Sequence, residues 1–357
     1  MHSDALSQRA LALCHIASPI ANEQAIADHV EQWALSRFPR EQVFRHSHSL
    51  VVGNRADVRP TVALVGHLDT VPAHPESGPT RIEGDRLYGL GASDMKGALA
   101  VMMGLAEELS LETLPVNVLW VFYEREEGTY VESGLIPLFE KIPQLKTLKF
   151  AIAMEPTDLT VQVGCMGTLH AALTFRGSAA HSARPWQGEN AIHKAGPLLT
   201  EISRMQLREL VVSGFSFYEV MSATTAQGGR AKNVIPERFD VNLNYRFAPG
   251  KSVEQAKEDV LKLVAGRAEV DFVDISPSGR VCADNPYYQR LVKVTGVRVE
   301  PKQAWTDVAR FAEVGVDAVN FGPGETKQAH QKNESAPLPA LGEAFKKLKA
   351  FLESPLS

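Results

Sequence analysis

A chain of 357 residues exceeds the usual size of a single hydrophobic core, so two domains are expected. Its 44% hydrophobic and 22% charged residues and its net charge of −5 are typical of a globular protein, and they argue against a nucleic-acid-binding surface, which is basic. The three cysteines, Cys14, Cys165 and Cys282, are far apart, which argues against a disulfide framework or a cysteine-rich zinc knuckle.

The N-terminal segment gives no sign of export. Residues 1–21 lack the basic and then apolar order of a signal peptide. No apolar run approaches the roughly 20 residues that cross a bilayer. We therefore expect a cytoplasmic protein without a membrane or nucleic-acid partner.

Two amphipathic helices are predicted first, at residues 5–16 and 22–38, with Ser18-Pro19 breaking the pattern between them. Short and nearly continuous apolar runs follow, which is the pattern of strands buried on both faces. These runs are residues 61–66, 116–123, 150–154 and 318–321. A helix is predicted at 97–109, between two of them. The alternation of strand and helix predicts an α/β fold with an open, doubly wound sheet.

The pattern changes between residues 168 and 280, where strands alternate strictly between apolar and polar residues. The predicted strands are 169–176, 239–247 and 269–275, and the predicted helices are 191–207 and 253–265. Alternating strands with two helices indicate an antiparallel sheet covered on one face. We therefore predict a catalytic domain of residues 1–167 and 281–357, interrupted by an inserted α+β domain of residues 168–280.

Histidine and carboxylate residues follow the predicted buried strands, where open α/β sheets place their ligand sites. They are His67 and Asp69 after the first strand, Glu126 and Glu127 after the second, Glu155 after the third and His330 after the last, with Asp94 in a glycine-flanked loop. Taken singly, each has an ordinary structural explanation, such as a helix cap for Asp94. Together they form a mixed nitrogen and oxygen set that suits zinc or a related divalent ion.

Five motifs in order resemble those of the dinuclear zinc amidohydrolases and exopeptidases, the acetylornithine deacetylase and carboxypeptidase type. They are His67-Leu-Asp-Thr-Val-Pro72, Ser93-Asp-Met-Lys-Gly97, Glu126-Glu-Gly128, Glu155-Pro-Thr157, and Gly322-Pro-Gly324 with the later Ala329-His330. The resemblance implies a zinc-exopeptidase-like catalytic domain with an inserted lid domain through which a homodimer forms. It also implies two Zn²⁺ ions per subunit, for which Co²⁺ can substitute.

The same resemblance implies a role for each residue at the strand ends. His67 and Glu155 would bind one zinc, Glu127 and His330 the other, and Asp94 would bridge both, before a cis peptide bond to Met95. Asp69 would accept a hydrogen bond from the other ring nitrogen of His67 and so set its tautomer. Glu126 would be the general base.

The lid adds substrate-binding candidates by resemblance. His181 would reach the partner subunit's active site and stabilise the oxyanion, Asn233 would contact the substrate, and Arg246 would bind a substrate carboxylate. Arg184 is a further candidate, as is Gly324 of the catalytic domain. Structural alternatives stay open here, since Arg184 could brace the lid and Arg246 could be a surface cation of a strand.

Four segments resemble the desuccinylases of this family, of the actinobacterial type: residues 121–124, 164–169, 180–186 and 304–311. This implies hydrolysis of N-succinyl-LL-2,6-diaminopimelate to succinate and LL-2,6-diaminopimelate, a step of diaminopimelate and lysine biosynthesis. One departure is Met166, where other desuccinylases carry arginine before the glycine that opens the lid. A doubly anionic acyl substrate needs at least two cationic anchors, and Arg246 and Arg310 are the candidates.

Three alternative functions compete with this one. The first is another deacylase of this architecture, for acetylornithine or acetyl-lysine, or a dipeptidase or carboxypeptidase. The second is a metal-free binding protein, which is disfavoured because every inferred ligand and the base are present. The third is a nucleotide-binding enzyme, which fails because no GxGxxG sequence follows a strand.

Overall fold

A computed structural model describes residues 3–355, and the chain divides into two compact units. The first comprises Met1–Gly164, Cys282–Glu300 and Arg310–Ser357, and the second comprises Cys165–Val281 and Pro301–Ala309. The segment Pro301–Ala309 was expected in the catalytic domain. It joins the second unit because Ala304 accepts the backbone N–H of Met166 and the Gln303 side chain donates to the carbonyl of Ser216.

Nine α-helices occur within residues 3–355. They are α1 Ser3–His15, α2 Gln24–Arg37, α3 Gly97–Glu108, α4 Leu135–Lys141, α5 Ala191–Arg204, α6 Val253–Val264, α7 Pro286–Thr295, α8 Val308–Glu313 and α9 Leu338–Glu353. Helix α3 is almost entirely apolar and buried, and it packs against α1 and α9. None of these helices combines the length and the apolar character needed to cross a bilayer.

Eighteen strands occur in the same residues. They are β1 Val43–His46, β2 Ser49–Val52, β3 Thr61–His67, β4 Arg81–Glu83, β5 Arg86–Tyr88, β6 Asn117–Tyr123, β7 Phe150–Ala153, β8 Val161–Val163, β9 Gly167–Arg176, β10 Ala180–His181, β11 Arg208–Val212, β12 Phe215–Gly228, β13 Val234–Ile235, β14 Arg238–Phe247, β15 Glu269–Ser276, β16 Val299–Pro301, β17 Ala318–Asn320 and β18 Ser335–Pro337.

An eight-stranded sheet forms the centre of the first unit, in the order β1-β2-β6-β3-β7-β17-β8-β16. Its inner strands β6, β3, β7 and β17 run parallel, and almost all of their residues are buried. The sheet is mixed, because β2 pairs with β6 and β8 pairs with β17 in the antiparallel sense. The predicted α/β class is confirmed. The parallel centre brings the carboxyl ends of β3, β6 and β7 to one edge of the sheet.

A five-stranded antiparallel sheet organises the second unit, in the order β11-β12-β14-β9-β15. Strand β14 alternates, with Phe239, Val241, Leu243, Tyr245 and Phe247 buried against residues of α5 and α6. The intervening residues, including Asn242, Asn244 and Arg246, lie on the opposite and polar face of the sheet. The core therefore occupies one face only, as strict alternation requires.

Candidate metal centre

His67 ends strand β3 and its side chain is 1% exposed. Its Nδ1 lies 3.0 Å from the backbone oxygen of Asp69 and 3.5 Å from the carboxylate oxygen Oδ1. Because a carbonyl only accepts, Nδ1 carries a proton. The expected tautomer is therefore held, but the shorter contact is to the carbonyl of Asp69 rather than to its carboxylate.

The other ring nitrogen of His67, Nε2, lies 3.1 Å from Oδ1 of Asp94. Burial lowers the pKa of His67, but its hydrogen bonds to Asp69 and Asp94 outweigh burial and raise that pKa well above the usual value. A nitrogen and a carboxylate oxygen at this distance need a proton or a cation between them. Nε2 is consequently the atom of His67 that a metal ion would contact.

Asp94 lies in a distorted turn over Ala92–Lys96, in which Asp94 and Met95 have non-helical backbone angles. The peptide bond between these two residues is cis, as the resemblance implied. The turn follows Gly91, whose φ of 82° suits glycine. The side chain of Asp94 is only 10% exposed and faces His67 and His330.

Glu334 holds this turn and was not singled out in the sequence. Its carboxylate accepts the backbone N–H groups of Gly91, Ser93 and Asp94 at 2.7, 2.8 and 2.8 Å. Burial raises the pKa of Glu334 to about 7, although the three amide donors oppose that shift. The only sequence signal was a carboxylate four residues after His330, which is too common a feature to identify a role.

His330 contacts the other side of Asp94. Its Nε2 lies 2.8 Å from Oε1 of Glu127 and 3.7 Å from Oδ2 of Asp94. The hydrogen bond to Glu127 raises the pKa of His330 to about 8. Since Oδ1 of Asp94 faces His67, the two oxygens of this carboxylate point toward two different histidines, which is the geometry of a bridging ligand.

The donor set fits a divalent metal ion. One donor atom each from His67, Asp94 and Glu127 lie within 4.8 Å of one another. Imidazole nitrogen and carboxylate oxygen are the ligands of catalytic zinc sites. Glu155 is not part of that three-residue group but is 7% exposed and lies two residues beyond Ala153, which pairs with Val65. It thus continues strand β7 to the level of His67.

Asp69 and Glu126 complete this edge of the sheet. The Asp69 carboxylate is buried, and it accepts the backbone N–H groups of Glu126 and Glu127 at 3.1 and 3.0 Å. These contacts fix the turn after strand β6, from which the partly buried side chain of Glu126 extends. A ligand candidate and a base candidate thus occupy adjacent positions on one restrained turn.

In the second unit, the short strands β10 and β13 bring His181 and Asn233 together. His181 pairs with Val234, and the N–H of Ser182 donates to the carbonyl of Asn233 at 2.9 Å. The N–H of Ala183 donates to Nδ1 of His181 at 3.1 Å. The neutral imidazole of His181 therefore carries its proton on Nε2, which is a hydrogen-bond donor on an exposed side chain.

The three arginine candidates differ in their surroundings. Arg184 is exposed. Arg246 is partly buried on β14, burial lowers its pKa, and no residue of 3–355 forms an ion pair with it. Arg310 is 4% exposed, lies 3.9 Å from the ring centroid of Tyr130 and donates to its carbonyl. This arrangement does not favour Arg310 as a substrate anchor, because its guanidinium is buried and already interacts with Tyr130.

Gly324 is required for close approach rather than for a side-chain contact. A Cβ atom at this position would lie 2.2 Å from the carbonyl oxygen of Ser93 and 2.8 Å from the side chain of Pro156. The carbonyl of Gly324 also accepts the N–H of Asp158 at 2.9 Å. Gly324 therefore packs the loop before His330 directly against the turn that carries Asp94.

The chain is also similar in sequence to several known proteins. A succinyl-diaminopimelate desuccinylase of Corynebacterium glutamicum is 31% identical over 354 residues, covering 97% of this chain and 95% of its own length. A Mycobacterium tuberculosis protein with the provisional name succinyl-diaminopimelate desuccinylase DapE is 36% identical over 342 residues, covering 96% of each chain. An acetylornithine deacetylase of Myxococcus xanthus is 31% identical, covering 81% and 78%.

Solved structures share the fold. The aminopeptidase PepT of Bacillus cereus superposes with a TM-score of 0.79 at 19% identity, covering 99% of this chain and 98% of its own. The Bacillus subtilis protein YXEP, described as a dinuclear metal-binding peptidase, gives a TM-score of 0.72 at 15% identity, covering 98% and 97%. The sequence model of peptidase family M20/M25/M40 matches residues 63–354. The chain is therefore a metallo-hydrolase that belongs to peptidase family M20/M25/M40.

Proposed function

We propose that this chain is a dizinc amidohydrolase that converts N-succinyl-LL-2,6-diaminopimelate to succinate and LL-2,6-diaminopimelate in the cytoplasm. The observation that carries the hydrolytic part is the Asp94 carboxylate, with one oxygen facing His67 and the other facing His330. The substrate rests on the desuccinylase of C. glutamicum, which matches over nearly the whole chain.

The proposed metal ligands divide into two sets around Asp94. His67 and Glu155 would hold one ion, Glu127 and His330 would hold the other, and Asp94 would contact both. Zinc ions, or cobalt in their place, supply Lewis acidity when bound, which polarises the amide carbonyl and acidifies the attacking water. The tautomer of His67 favours this assignment, because Nδ1–H bonded to the Asp69 carbonyl leaves the lone pair on Nε2.

Glu126 is the proposed general base. It takes a proton from the attacking water and passes that proton to the leaving amine, which would otherwise depart as an unstable anion. The Asp69 carboxylate supports this role by holding the N–H groups of Glu126 and Glu127. Because the backbone of this turn is restrained, adjacent glutamates can take the two roles of metal ligand and general base.

His181 is the proposed oxyanion donor, acting across a homodimer formed through the second unit. Its exposed imidazole carries the proton on Nε2, as an oxyanion donor must. Mixing an inactive His181→Ala chain with an inactive Glu126→Gln chain should restore activity as subunits exchange. A heterodimer that forms and stays inactive would contradict action across the dimer.

Arg246 is the proposed anchor for a substrate carboxylate, with Asn233 and Arg184 as neighbours of the bound substrate. Arg246 is partly buried and forms no ion pair within residues 3–355, although the charge of Asp274 acts on it, so its guanidinium can still pair with an incoming carboxylate. Arg310 is not proposed for this role, since its guanidinium already stacks on the ring of Tyr130 and donates a hydrogen bond to its carbonyl.

The deciding experiment compares kcat/KM for N-succinyl-LL-2,6-diaminopimelate and N-acetylornithine, before and after exhaustive chelation. We expect the succinyl substrate to be preferred, activity to vanish on chelation, and about two equivalents of Zn²⁺ to restore it. The acetylornithine deacetylase of M. xanthus makes N-acetylornithine the main alternative substrate. An equal or higher kcat/KM for N-acetylornithine would reject the desuccinylase assignment, and full activity without metal would reject the dizinc mechanism.

A further inference from the structure

A second cluster of possible metal ligands lies apart from the group just described. One donor atom each from Glu23, His48 and Glu124 lie within 4.8 Å of one another. Glu23 immediately precedes helix α2, His48 lies in the turn between β1 and β2, and Glu124 follows β6. Three separate segments of the first unit therefore meet at this cluster.

Two atoms of this cluster are buried without a hydrogen-bond partner among residues 3–355. They are Oε2 of Glu23, whose side chain is fully buried, and Nδ1 of His48. The other oxygen of Glu23, Oε1, accepts the N–H of Ala21 at 2.9 Å, so the side chain is held in place. A buried polar atom without a partner has lost its hydration and gained no hydrogen bond in return, which is unfavourable. Two such atoms on residues of one cluster therefore point to a ligand at this cluster.

The charge of the cluster is also uncompensated. Within residues 3–355, the carboxylate of Glu124 accepts from the hydroxyl of Ser47 and the N–H of His48, at 3.2 and 3.3 Å, and from no cationic side chain. No lysine or arginine in residues 3–355 forms an ion pair with Glu23 or Glu124. Burial, with the charges of Asp69 and Glu124, raises the pKa of Glu23. Two buried carboxylates close together repel each other unless a cation or a proton lies between them.

A proton shared between the two carboxylates is the simpler explanation, but it would contact fewer of the three side chains than a cation would. A proton between Glu23 and Glu124 would relieve their repulsion and would leave Nδ1 of His48 without a partner. A divalent cation contacts all three side chains, and it balances two carboxylates with its own charge. Nitrogen and oxygen ligands at about 2.0–2.2 Å suit zinc and related ions, with the fourth position open to water.

We propose that Glu23, His48 and Glu124 bind one divalent transition-metal ion, separate from the ions of the hydrolytic centre. The ion ties the start of α2, the β1–β2 turn and the end of β6 to one another. Strand β6 leads directly into the turn of Glu126 and Glu127, so the ion braces the chain two residues before the proposed base. The contribution of this ion is structural. An ion that binds the folded chain and not the unfolded chain stabilises the folded state.

The test measures metal stoichiometry on the full chain. Native protein and the variants Glu23→Gln and His48→Gln are stripped with a chelator, dialysed against Zn²⁺ and analysed for bound metal. We expect native protein to hold one equivalent more than either variant. The matched control is His46→Gln, since His46 lies two residues away on β1 and outside the cluster, and it should bind as much as native protein.

Anomalous diffraction at the zinc edge, on crystals of native zinc-loaded protein, decides the matter even if the variants fold poorly. We expect a peak among Glu23, His48 and Glu124 as well as at His67, Asp94 and Glu127. Full zinc occupancy at His67, Asp94 and Glu127 with no peak among Glu23, His48 and Glu124 would overturn the proposal. Equal metal content in folded native and His48→Gln proteins would overturn it as well. Neither outcome depends on which substrate the enzyme hydrolyses.

Discussion

The carboxylate of Asp69 accepts the backbone N–H of Glu127 at 3.0 Å. Its other oxygen accepts the N–H of Glu126, while its backbone carbonyl accepts Nδ1–H of His67. Asp69 therefore orients a metal-ligand candidate on β3 and two glutamates after β6. Through these contacts, one buried aspartate couples the geometry of two neighbouring strand ends.

Asp69→Asn should lower activity by about 10- to 100-fold, the usual effect of losing a residue that orients metal ligands. The asparagine side chain has one acceptor oxygen, so its NH₂ group would face the N–H of Glu126 or Glu127. Steady-state kinetics and Zn²⁺ affinity measure the effect. The matched control is Asp284→Asn at an exposed site. Equal activity of the two variants would contradict the orienting role.

Glu126→Gln should lose a factor of about 10²–10⁴ in kcat while keeping its metal content, because it removes the proton acceptor and leaves the ligands intact. Glu127→Gln is the informative comparison, since it should lower the zinc content instead. Kinetics combined with metal analysis separate the two effects. Near-normal turnover of Glu126→Gln would assign the base to another residue.

Glu334→Ala should destabilise the protein by about 3 kcal/mol or more, because it leaves three buried N–H groups unpaired at about 1–3 kcal/mol each. Glu334→Gln keeps one acceptor oxygen and should lie between Ala and native. Both variants should bind Zn²⁺ more weakly, since the turn that carries Asp94 loses its restraint. Denaturant unfolding and chelator competition test this, and unchanged zinc affinity in a folded Glu334→Ala protein would contradict it.

Metal uptake should become more favourable as the pH rises toward 8. Glu127 raises the pKa of His330 to about 8 in the metal-free protein, above its ordinary value of 6.5. Since the folded state binds this proton more tightly than the unfolded state, the stabilisation is complete below pH 6.5 and is lost as the pH rises through 8. A metal ion must displace the same proton, so its affinity changes in the opposite direction.

Chelator competition at pH 6, 7 and 8 measures the affinity, and thermal unfolding of metal-free protein measures the stability. In His330→Ala both trends should weaken. A zinc affinity independent of pH over this range would show that His330 does not bind the metal.

Arg246→Ala should lower kcat/KM for the succinyl substrate by about 10- to 100-fold, the equivalent of a charge-assisted hydrogen bond of about 1.5–3 kcal/mol. The kcat/KM for N-acetylornithine should fall less, so the readout is the ratio of the kcat/KM values for the two substrates. Arg310→Ala is the control, and it should lower stability, through loss of its contacts with Tyr130, without changing the ratio. A change of ratio in Arg310→Ala alone would exchange their roles.

Residue patterns alone were enough to predict the α/β class. Strands buried on both faces require continuous apolar runs, and residues 61–66, 116–123 and 150–154 contain β3, β6 and β7 to within a residue or so at each end. Alternation likewise predicted β14 and the one-sided core of the second unit. The residues that converge on Asp94 were predicted because His67, Glu127 and His330 follow buried strands, and parallel strands bring those ends to one edge.

Only the tertiary structure decided which residues distant in sequence contact one another. The sequence could not show that Glu334 holds the Asp94 turn, or that Tyr130 occupies Arg310, since a carboxylate or a guanidinium looks the same in sequence whether buried or exposed. It could not bring Glu23 to His48 and Glu124 either. Local pattern determines which elements form and which faces are buried, whereas burial and pairing of single polar groups depend on packing that only the folded chain creates.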